Sequence, residues 1–510
     1  MASVEDGDEQ VGAARVAASS VRRVGVVVLL AAVLIAGLIG DHFIGSGAAA
    51  AAPAPQPSIP SLAAPGVMSS TWFCPALEAT PQSAALGRIV VANPSGAIIT
   101  GTVTIIPAVG APVVQNAVIQ PYTRVTYKLE QLAPGPYAAA TVSLDGTAGA
   151  VEQLVTGPLG QSIAPCATSS SGRWYFAAGR TDQDATELLS LYNPYPQVAI
   201  ADLTFATDLG PSSPDLLQGI VVPGGGFNVV DVGAQVRIRG SVAATVTVRA
   251  GRLIVDKLQL QSGSSPHGLS LTLGATAPGR LWYYPDGTTG PGVDEQFDVY
   301  NPGAAQAQVQ LAPILAEGSA DPFTLTVPPD DEISLDVSQQ TRIPPGVAQA
   351  WELTSTNGVP VVAERTIDAG PPSTHAGVGD SFGSPRSAKE WTFPAGSDIS
   401  GADEWLVLLD PGRTPARVTV TASGMGVADS LPGGVTVPAG GRMAIQINKF
   451  APQGVLILDV TSDVPIVAER ALYIVGAPGM SDSIGIASAA ASSSLPGASD
   501  VSTARTGGSP

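Results

Sequence analysis

The feature that most constrains the fold is a pattern that the sequence repeats four times. Each copy opens with a tryptophan in a short aromatic segment, "TWFCPA", "RWYFAAG", "LWYYPDG" and "EWTFPAG" in chain order. These tryptophans are Trp72, Trp174, Trp282 and Trp391, at spacings of 102, 108 and 109 residues. Solenoids and propellers repeat every 20 to 50 residues or so, whereas this period is the length of a domain. The repeat therefore predicts four units of domain size.

Within each copy, turn residues separate short runs of β-branched and apolar residues. An Asn-Pro or Asp-Pro turn follows the first long apolar run, at Asn93, Asn193, Asn301 and Asp410. A Pro-led turn between two strands comes next and predicts a hairpin. The fourth copy divides into seven short strands, as in a two-sheet sandwich. The predicted fold is all-β, a tandem array of about four immunoglobulin-like β-sandwich domains after one N-terminal transmembrane helix. The alternative is a single closed β-assembly built from all four copies.

The repeats and the composition together divide the chain into eight segments. The linker and the tail are assigned by composition, because Ala, Pro, Ser and Gly without large apolar residues cannot form a core. The segments are a cytoplasmic N-terminus (1–23), a transmembrane signal-anchor (24–40), an Ala/Pro-rich linker (41–70), four β-sandwiches (71–170, 171–279, 280–388 and 389–487) and a disordered tail (488–510).

Residues 24–40, "VGVVVLLAAVLIAGLIG", form an uncharged run of 17 residues, the lower limit for a membrane-spanning helix. Arg22 and Arg23 precede it, which places the N-terminus in the cytoplasm and the rest of the chain outside. The sequence thus predicts a single-pass protein of the cell membrane with an extracellular C-terminal part. A cleaved signal peptide is the alternative reading of the same segment.

The chain contains two cysteines, Cys74 and Cys166, and both lie on the predicted outer side. A pair of cysteines in an oxidising compartment predicts one disulfide. Two thiols alone supply too few ligands for a structural metal site.

An acid and a base recur together in three of the four copies. The acid follows the repeat tryptophan by thirteen residues, and the base lies in the last long strand. The first copy lacks both, with Ala85 and Gln153 in their places. This joint presence and absence predicts an ion pair inside each of the other three sandwiches. The predicted pairs are Glu187–Lys257, Glu295–Arg365 and Glu404–Arg470.

The sequence identifies no catalytic, cofactor-binding or metal-ligating residue. There are three histidines, and one histidine in a domain cannot form a metal site. The segment "GDSFG" at 379–383 has the spacing of the G-x-S-x-G nucleophile motif, but it belongs to the "DSIG"-like end of a repeat and not to a strand-to-helix turn. The loops at 179–187, 286–295 and 396–404 carry several carboxylates each, which leaves calcium binding between domains open as an alternative to solvated acidic turns.

The order W-x-F-x-x-G, Asn-Pro, "VPAG", P-[VI]-V-A-E-R and a "DSIG"-like end resembles a tandem repeat in uncharacterised exported proteins of actinobacteria, a domain of unknown function. The resemblance covers residues 71–487 and is closest in the third and fourth copies. It implies an envelope-associated surface protein, and it implies no activity, substrate or catalytic residue.

These observations lead to an expectation about function. We expect a non-enzymatic, membrane-anchored extracellular envelope protein that acts as a scaffold, spacer or interaction surface, with cell-wall components or envelope proteins as partners. The alternative is a wall-polymer or carbohydrate-binding module, or an accessory subunit of a cell-envelope glycan enzyme. A formal charge of −18 without a basic patch argues against nucleic acid as a partner.

Overall fold

Short apolar runs between turn residues give a chain that is almost wholly β-strand. The computed structural model describes residues 56–489 except 65, 265, 397–401, 432 and 452–456. Buried and more exposed side chains alternate along strands such as Ala416–Gly424, whereas Gly160–Pro165 and Gly268–Leu273 are buried at nearly every residue. The fold is all-β, as predicted, and its one α-helix in the described part is the short α1 at Leu129–Leu132. The predicted anchor at 24–40 lies outside the described residues.

Repeats 1 and 2 contain the first seventeen strands. Those of repeat 1 are β1 (Ser69–Ala79), β2 (Leu86–Asn93), β3 (Ile99–Pro107), β4 (Val113–Ile119), β5 (Thr123–Lys128), β6 (Gly135–Asp145), β7 (Ala150–Gly157) and β8 (Gly160–Pro165). Those of repeat 2 are β9 (Arg173–Phe176), β10 (Ala185–Asn193), β11 (Ala199–Thr207), β12 (Gly210–Ser212), β13 (Ile220–Val222), β14 (Gly226–Asp231), β15 (Val242–Ala250), β16 (Ile254–Gln261) and β17 (Gly268–Leu273).

Repeats 3 and 4 follow the same order. Repeat 3 contains β18 (Leu281–Tyr284), β19 (Val293–Asn301), β20 (Ala307–Leu315), β21 (Phe323–Val327), β22 (Asp331–Asp336), β23 (Gln349–Ser355), β24 (Val362–Ala369) and β25 (Gly377–Phe382). Repeat 4 contains β26 (Ala388–Phe393), β27 (Ala402–Asp410), β28 (Ala416–Gly424), β29 (Val427–Ser430), β30 (Val435–Val437), β31 (Gly441–Gln446), β32 (Ile457–Ile474), β33 (Met480–Ile484) and β34 (Ile486–Ala487). Three 3-10 turns lie at Asp215–Leu217, Val232–Ala234 and Ile447–Lys449.

Each repeat packs two groups of strands face to face. In repeat 2 the order β14-β10-β16-β17 faces β12-β11-β15-β9, and in repeat 3 β22-β19-β24-β25 faces β18-β23-β20-β21. The repeat tryptophan is buried between the two groups, and the indole nitrogen of Trp282 donates a hydrogen bond to the Val361 carbonyl at 3.1 Å. Trp174 and Trp391 make the equivalent bond. The conserved spacing of the tryptophans thus marks the centre of each core.

Two details differ from the strand prediction. In repeat 4 the two last predicted strands are one strand, β32, which pairs first with β26 and β28 and then with β27 and β33. The Pro-led turns do not close hairpins, because β13 pairs with β11 whereas β14 pairs with β10 in the opposite sheet. The third residue of this turn has a positive φ in every repeat, at Tyr122, Gly225, Asp330 and Gly440. The turn therefore crosses from one sheet to the other, and glycine suits its left-handed position.

The four repeats close on one another. The strand that follows the last long strand of each repeat contacts that of the next, in the order β8, β17, β25 and β33, and β33 contacts β8 again. The described residues form one compact unit. These contacts between repeats correspond to the closed assembly that the sequence left as the alternative.

The described chain enters and leaves this assembly at the same place. Ser61 and Ala487 form a parallel β-bridge, and the Leu62 amide donates a hydrogen bond to the Ala487 carbonyl at 2.9 Å. Just before it, the backbone amide of Ser58 donates to the Thr276 hydroxyl at 3.0 Å. The two ends of the folded part are therefore neighbours.

Candidate functional site: a charged ring between the repeats

In the last long strand of each repeat an acid is followed directly by a base, or by Gln153 in repeat 1. These residues contact one another between the repeats. We call these eight residues the charged ring. They are Glu152, Gln153, Asp256, Lys257, Glu364, Arg365, Glu469 and Arg470. All eight are fully buried or nearly so.

The pleat of the strand decides which neighbour each member reaches. Successive side chains of a strand point to opposite faces, so Glu364 and Arg365 of β24 face different repeats. Glu364 faces repeat 2 and receives Lys257 at an Nζ–Oε2 distance of 2.6 Å. Arg365 faces repeat 4 and binds Glu469 at 2.8 Å between Nη2 and Oε1.

The same pairing continues until the ring is closed. Arg470 of repeat 4 binds Glu152 of repeat 1 at 3.2 Å, across a sequence separation of 318 residues. At the remaining junction the Gln153 amide donates to Asp256 at 2.7 Å. Three junctions therefore contain an ion pair and the fourth contains an amide and a carboxyl group.

Each of the three ion pairs is also bonded to the backbone of the turn that follows a tryptophan strand. Glu469 accepts a hydrogen bond from the Asp286 amide at 2.9 Å, and Arg365 donates to the carbonyl of the same residue. Glu152 likewise accepts a hydrogen bond from the Ala395 amide at 2.7 Å, and Arg470 donates to the Ala395 carbonyl. Buried charges need such partners, because an unpaired one is strongly destabilising.

Burial and the neighbouring charges shift the pKa values of these groups. Burial raises the pKa of the Glu152 carboxyl, although Arg470 opposes the shift. Burial alone would lower the pKa of Lys257, but the surrounding carboxylates of Asp380, Glu364 and Glu187 raise it above its ordinary value. Burial raises the pKa of Asp256 to about 8, against the hydrogen bond from Gln153, so this carboxyl is mostly protonated at pH 7.

The bases of the predicted ion pairs form their salt bridges with acids of the neighbouring repeat. Glu187 lies diagonally opposite Lys257, since it pairs with Gln259 on the adjacent strand, and its oxygens have no hydrogen-bond partner. Burial raises its pKa to about 8, while the attraction of Lys257 lowers it. The base forms its direct contacts with Glu364 and, at 2.9 Å, Asp380 of the next repeat.

In the other two predicted pairs the base, Arg365 or Arg470, also forms its salt bridge with an acid of the neighbouring repeat. Glu295 accepts hydrogen bonds from Gln349 at 2.6 Å and Trp351 at 3.1 Å, and burial raises its pKa to about 8 although Arg365 lowers it. Glu404 occupies the corresponding buried position on β27, whereas the salt bridge of Arg470 is with Glu152. Glu187 and Glu295 act on their bases through charge, whereas the salt bridges of all three bases are with the neighbouring repeat.

The sequence interpretation missed Glu152, Asp256, Glu364 and Glu469 as partners. Their signal was present, because an acid directly precedes the base position in all four copies. Since adjacent side chains of a strand point to opposite faces, an acid-base dipeptide that recurs in three repeats indicates two neighbours on opposite sides.

The predicted disulfide is confirmed. Cys74 in β1 and Cys166 just after β8 are bonded and fully buried, with their Cα atoms 4.7 Å apart. The bond joins the two ends of repeat 1, next to the strand that contacts repeat 4.

In the part of the chain that the structure describes, no three His, Cys, Asp or Glu side chains are arranged to hold a metal ion. The loop at 396–404 lies partly outside the described residues. Among the residues described, no helix has the length and apolar character needed to cross a membrane.

Part of the sequence matches the model of a protein family of unknown function. The model of that family (DUF5719) matches residues 155–379, from β7 to β25. No curated protein matches the sequence.

Two solved structures show weak similarity. The crystal structure of Thermotoga maritima 1070 is 20% identical over 21% of this chain and 94% of its own, with a TM-score of 0.19. The tetra-tandem repeat in the extending region of a large adhesion protein is 13% identical over 82% of this chain and 100% of its own, with a TM-score of 0.10. Neither TM-score supports an argument about the fold.

Proposed function

We propose that this is a non-enzymatic envelope protein, held at the membrane by residues 24–40, whose four repeats form one braced scaffold outside the cell. The observation that carries the proposal is the closed chain of buried pairs between repeats. The charged side chains that would be the first candidates for catalysis, such as Lys257 and Glu364, are inaccessible and already bonded to each other.

The composition and the disulfide support the location. A bond between Cys74 and Cys166 is stable in an oxidising compartment, outside the cytoplasm. The uncharged run at 24–40, with arginines before it, fits a signal-anchor in the same orientation. The resemblance to exported repeats of actinobacteria, each unit being of immunoglobulin-like type, belongs to the same proposal.

The test uses a strain that lacks the gene and is complemented with the wild-type protein or with variants of matched abundance. We expect the wild type to restore the resistance of the envelope to a large impermeant dye. We expect Arg470→Gln, which opens the ring, to restore less resistance than Glu152→Gln/Arg470→Gln, which removes both charges.

A second experiment separates a scaffold from an enzyme or a glycan-binding module. The purified full-length protein is incubated with wall polysaccharide, and both bound polymer and released products are measured. Released products that increase with time and with protein concentration would overturn the proposal, and saturable polymer binding would replace the scaffold with a binding module.

A further inference from the structure

A polar cavity of about 230 Å³ lies between repeats 2 and 3. Its lining extends from the exposed Asp294 to the buried Asp380. Sites for drug-sized ligands begin at roughly 300 Å³, so this cavity has room for a small molecule.

One wall of the cavity is the outer face of the sheet β22-β19-β24-β25 of repeat 3. Asp294, Gln296 and Asp298 alternate along β19 and therefore share this face. Asp294 is directly opposite Asp368 on β24, and Gln296 is opposite Thr366. Like charges directly opposite each other destabilise a sheet, so this wall concentrates negative charge at a cost.

The other wall belongs to repeat 2 and is polar as well. Gln259 and Gln261 alternate along β16, and Ser270 of β17 lies opposite Gln259. Arg180 is the basic residue of the lining, but its guanidinium is bonded to Asp182. The cavity thus has no uncommitted positive charge.

The same register positions are apolar in most of the other repeats. The pair Gln296 and Thr366 of repeat 3 corresponds to three other cross-strand pairs, Leu188–Leu258 in repeat 2, Trp405–Ala471 in repeat 4 and Arg88–Leu154 in repeat 1. The leucines of repeat 2 pack against repeat 1, Leu154 packs against repeat 4, and Trp405 and Ala471 pack against repeat 3. Apolar clusters therefore fill three of the four junctions.

The facing positions show the same contrast. Gln259 and Gln261 of repeat 2 correspond by register to Ile367 and Ala369, to Leu472 and Ile474, and to Val155 and Gly157. Both walls are therefore polar at the 2/3 junction and chiefly apolar at the others. If the junctions served only to hold the repeats together, apolar packing would be expected at all four of them.

Several buried polar atoms of the lining lack a partner. Ser270 Oγ, Gln261 Oε1 and Asp380 Oδ1 accept or donate no hydrogen bond, and these side chains are 1%, 5% and 6% exposed. An unsatisfied buried polar group costs about 1 to 3 kcal/mol. A ligand in the cavity would satisfy them.

The charges that line the cavity indicate the class of ligand that would bind there. Within the described part of the chain, no basic side chain lies within 4.0 Å of Asp294, Asp298 or Asp336. Among the residues that the structure describes, no three carboxylates are placed to share one metal ion, so the negative charge is spread along the cavity. No aromatic side chain lines it, whereas sugar sites commonly contain one.

We propose that the cavity between repeats 2 and 3 binds a small aliphatic diamine or polyamine. Its separated ammonium groups would bind the carboxylates of β19 and β22, and its remaining N–H groups would reach Gln261 and Ser270. This inference goes beyond the scaffold, because it assigns a specific small ligand to one of the four junctions.

The test is isothermal titration calorimetry of the full-length protein with spermidine at about 0.15 M salt, which screens non-specific attraction to an acidic protein. We expect saturable binding of one spermidine per chain. In Asp294→Asn/Asp298→Asn the affinity should fall about tenfold or more, because charge-assisted hydrogen bonds are lost. Asp294→Asn alone, at an exposed position, serves if the double variant does not fold.

The matched control is Asp403→Asn, since Asp403 holds the register position of Asp294 at the apolar junction of repeat 4. It should bind spermidine as the wild type does. Absence of binding, equal weakening in Asp403→Asn, or an unchanged affinity in the β19 variants would overturn the proposal. Binding of Mg²⁺ or Ca²⁺ in place of spermidine, with the same sensitivity to the variants, would overturn the ligand class.

Discussion

The substitution Arg470→Gln removes the ion pair that closes the ring. Arg470 contacts Glu152 through both terminal nitrogens, at 3.3 and 3.2 Å, and donates to Ser483 Oγ at 2.9 Å. Without the guanidinium, Glu152 keeps the hydrogen bond from the Ala395 amide and loses its only ion pair in the described structure.

The expected cost is about 3 to 5 kcal/mol in the free energy of unfolding, because a buried carboxylate is left without its partner. The double variant Glu152→Gln/Arg470→Gln should recover most of this loss. The junction between repeats 1 and 2 supports that expectation, since Gln153 and a protonated Asp256 occupy the same place there without a net charge.

The cost should depend on pH in a defined direction. Burial raises the pKa of Glu152 and Arg470 opposes that shift, so the pKa rises further in the variant. A carboxyl group with a raised pKa favours folding at low pH and loses that contribution as the pH rises. The deficit of Arg470→Gln should therefore be larger at pH 8 than at pH 5.

The assay is urea denaturation of the wild type, both single variants and the double variant, combined in a double-mutant cycle. Hydrogen exchange at the Ile163 amide, which donates to Ser481 Oγ across the same junction at 2.9 Å, reports the local opening. Arg249→Gln, in an exposed pair, is the control and should cost less than about 1 kcal/mol. An Arg470→Gln variant as stable as the double variant at pH 8 would refute the reasoning.

Three further predictions concern other features. Burial raises the pKa of Glu295 from its ordinary value of 4.5 to about 8 in the folded protein. Its contribution to stability is therefore full below pH 4.5 and is lost as the pH rises through 8. The unfolding temperature of the wild type should fall from pH 5 to pH 8.5, and that of Glu295→Gln should fall less. A profile of unchanged slope in that variant would contradict the assignment. Replacing both Cys74 and Cys166 by alanine should destabilise repeat 1 by up to about 4 to 5 kcal/mol, measured by calorimetry, because a loop of this length is no longer closed in the unfolded chain. Protease added to intact cells should digest an epitope after residue 71 and spare a tag before residue 20, and recovery of the whole chain in the cytoplasm would contradict the predicted topology.

Much of the architecture could be predicted from the sequence because it depends on local signals. The tryptophan spacing located the four cores, and Asn193 or Asn301 marked the turns where the structure places them, with the Asn301 amide donating to the Ala305 carbonyl at 2.8 Å. The disulfide followed from a count of two cysteines.

The partners of the charged ring could not be predicted in the same way. The sequence shows that Arg365 needs an acid, but Glu295 in the same repeat and Glu469 in the next are equally available until the relative placement of the repeats is known. Closure decides between them, because the pleat directs Arg365 toward repeat 4. The polar junction was overlooked for a related reason, since Gln296 is unusual only when it is aligned by register with Leu188 and Trp405.

The bridge between Ser61 and Ala487 has a mechanical consequence. In a linear array, tension between the two ends would pass through every domain in turn and stretch the protein. Here a pulling force on the two ends acts first on the contacts where the chain enters and leaves, which include the Ser61–Ala487 bridge and the hydrogen bond from Ser58 to Thr276. The four repeats therefore lie outside the path of the force and bear load only after these contacts have opened.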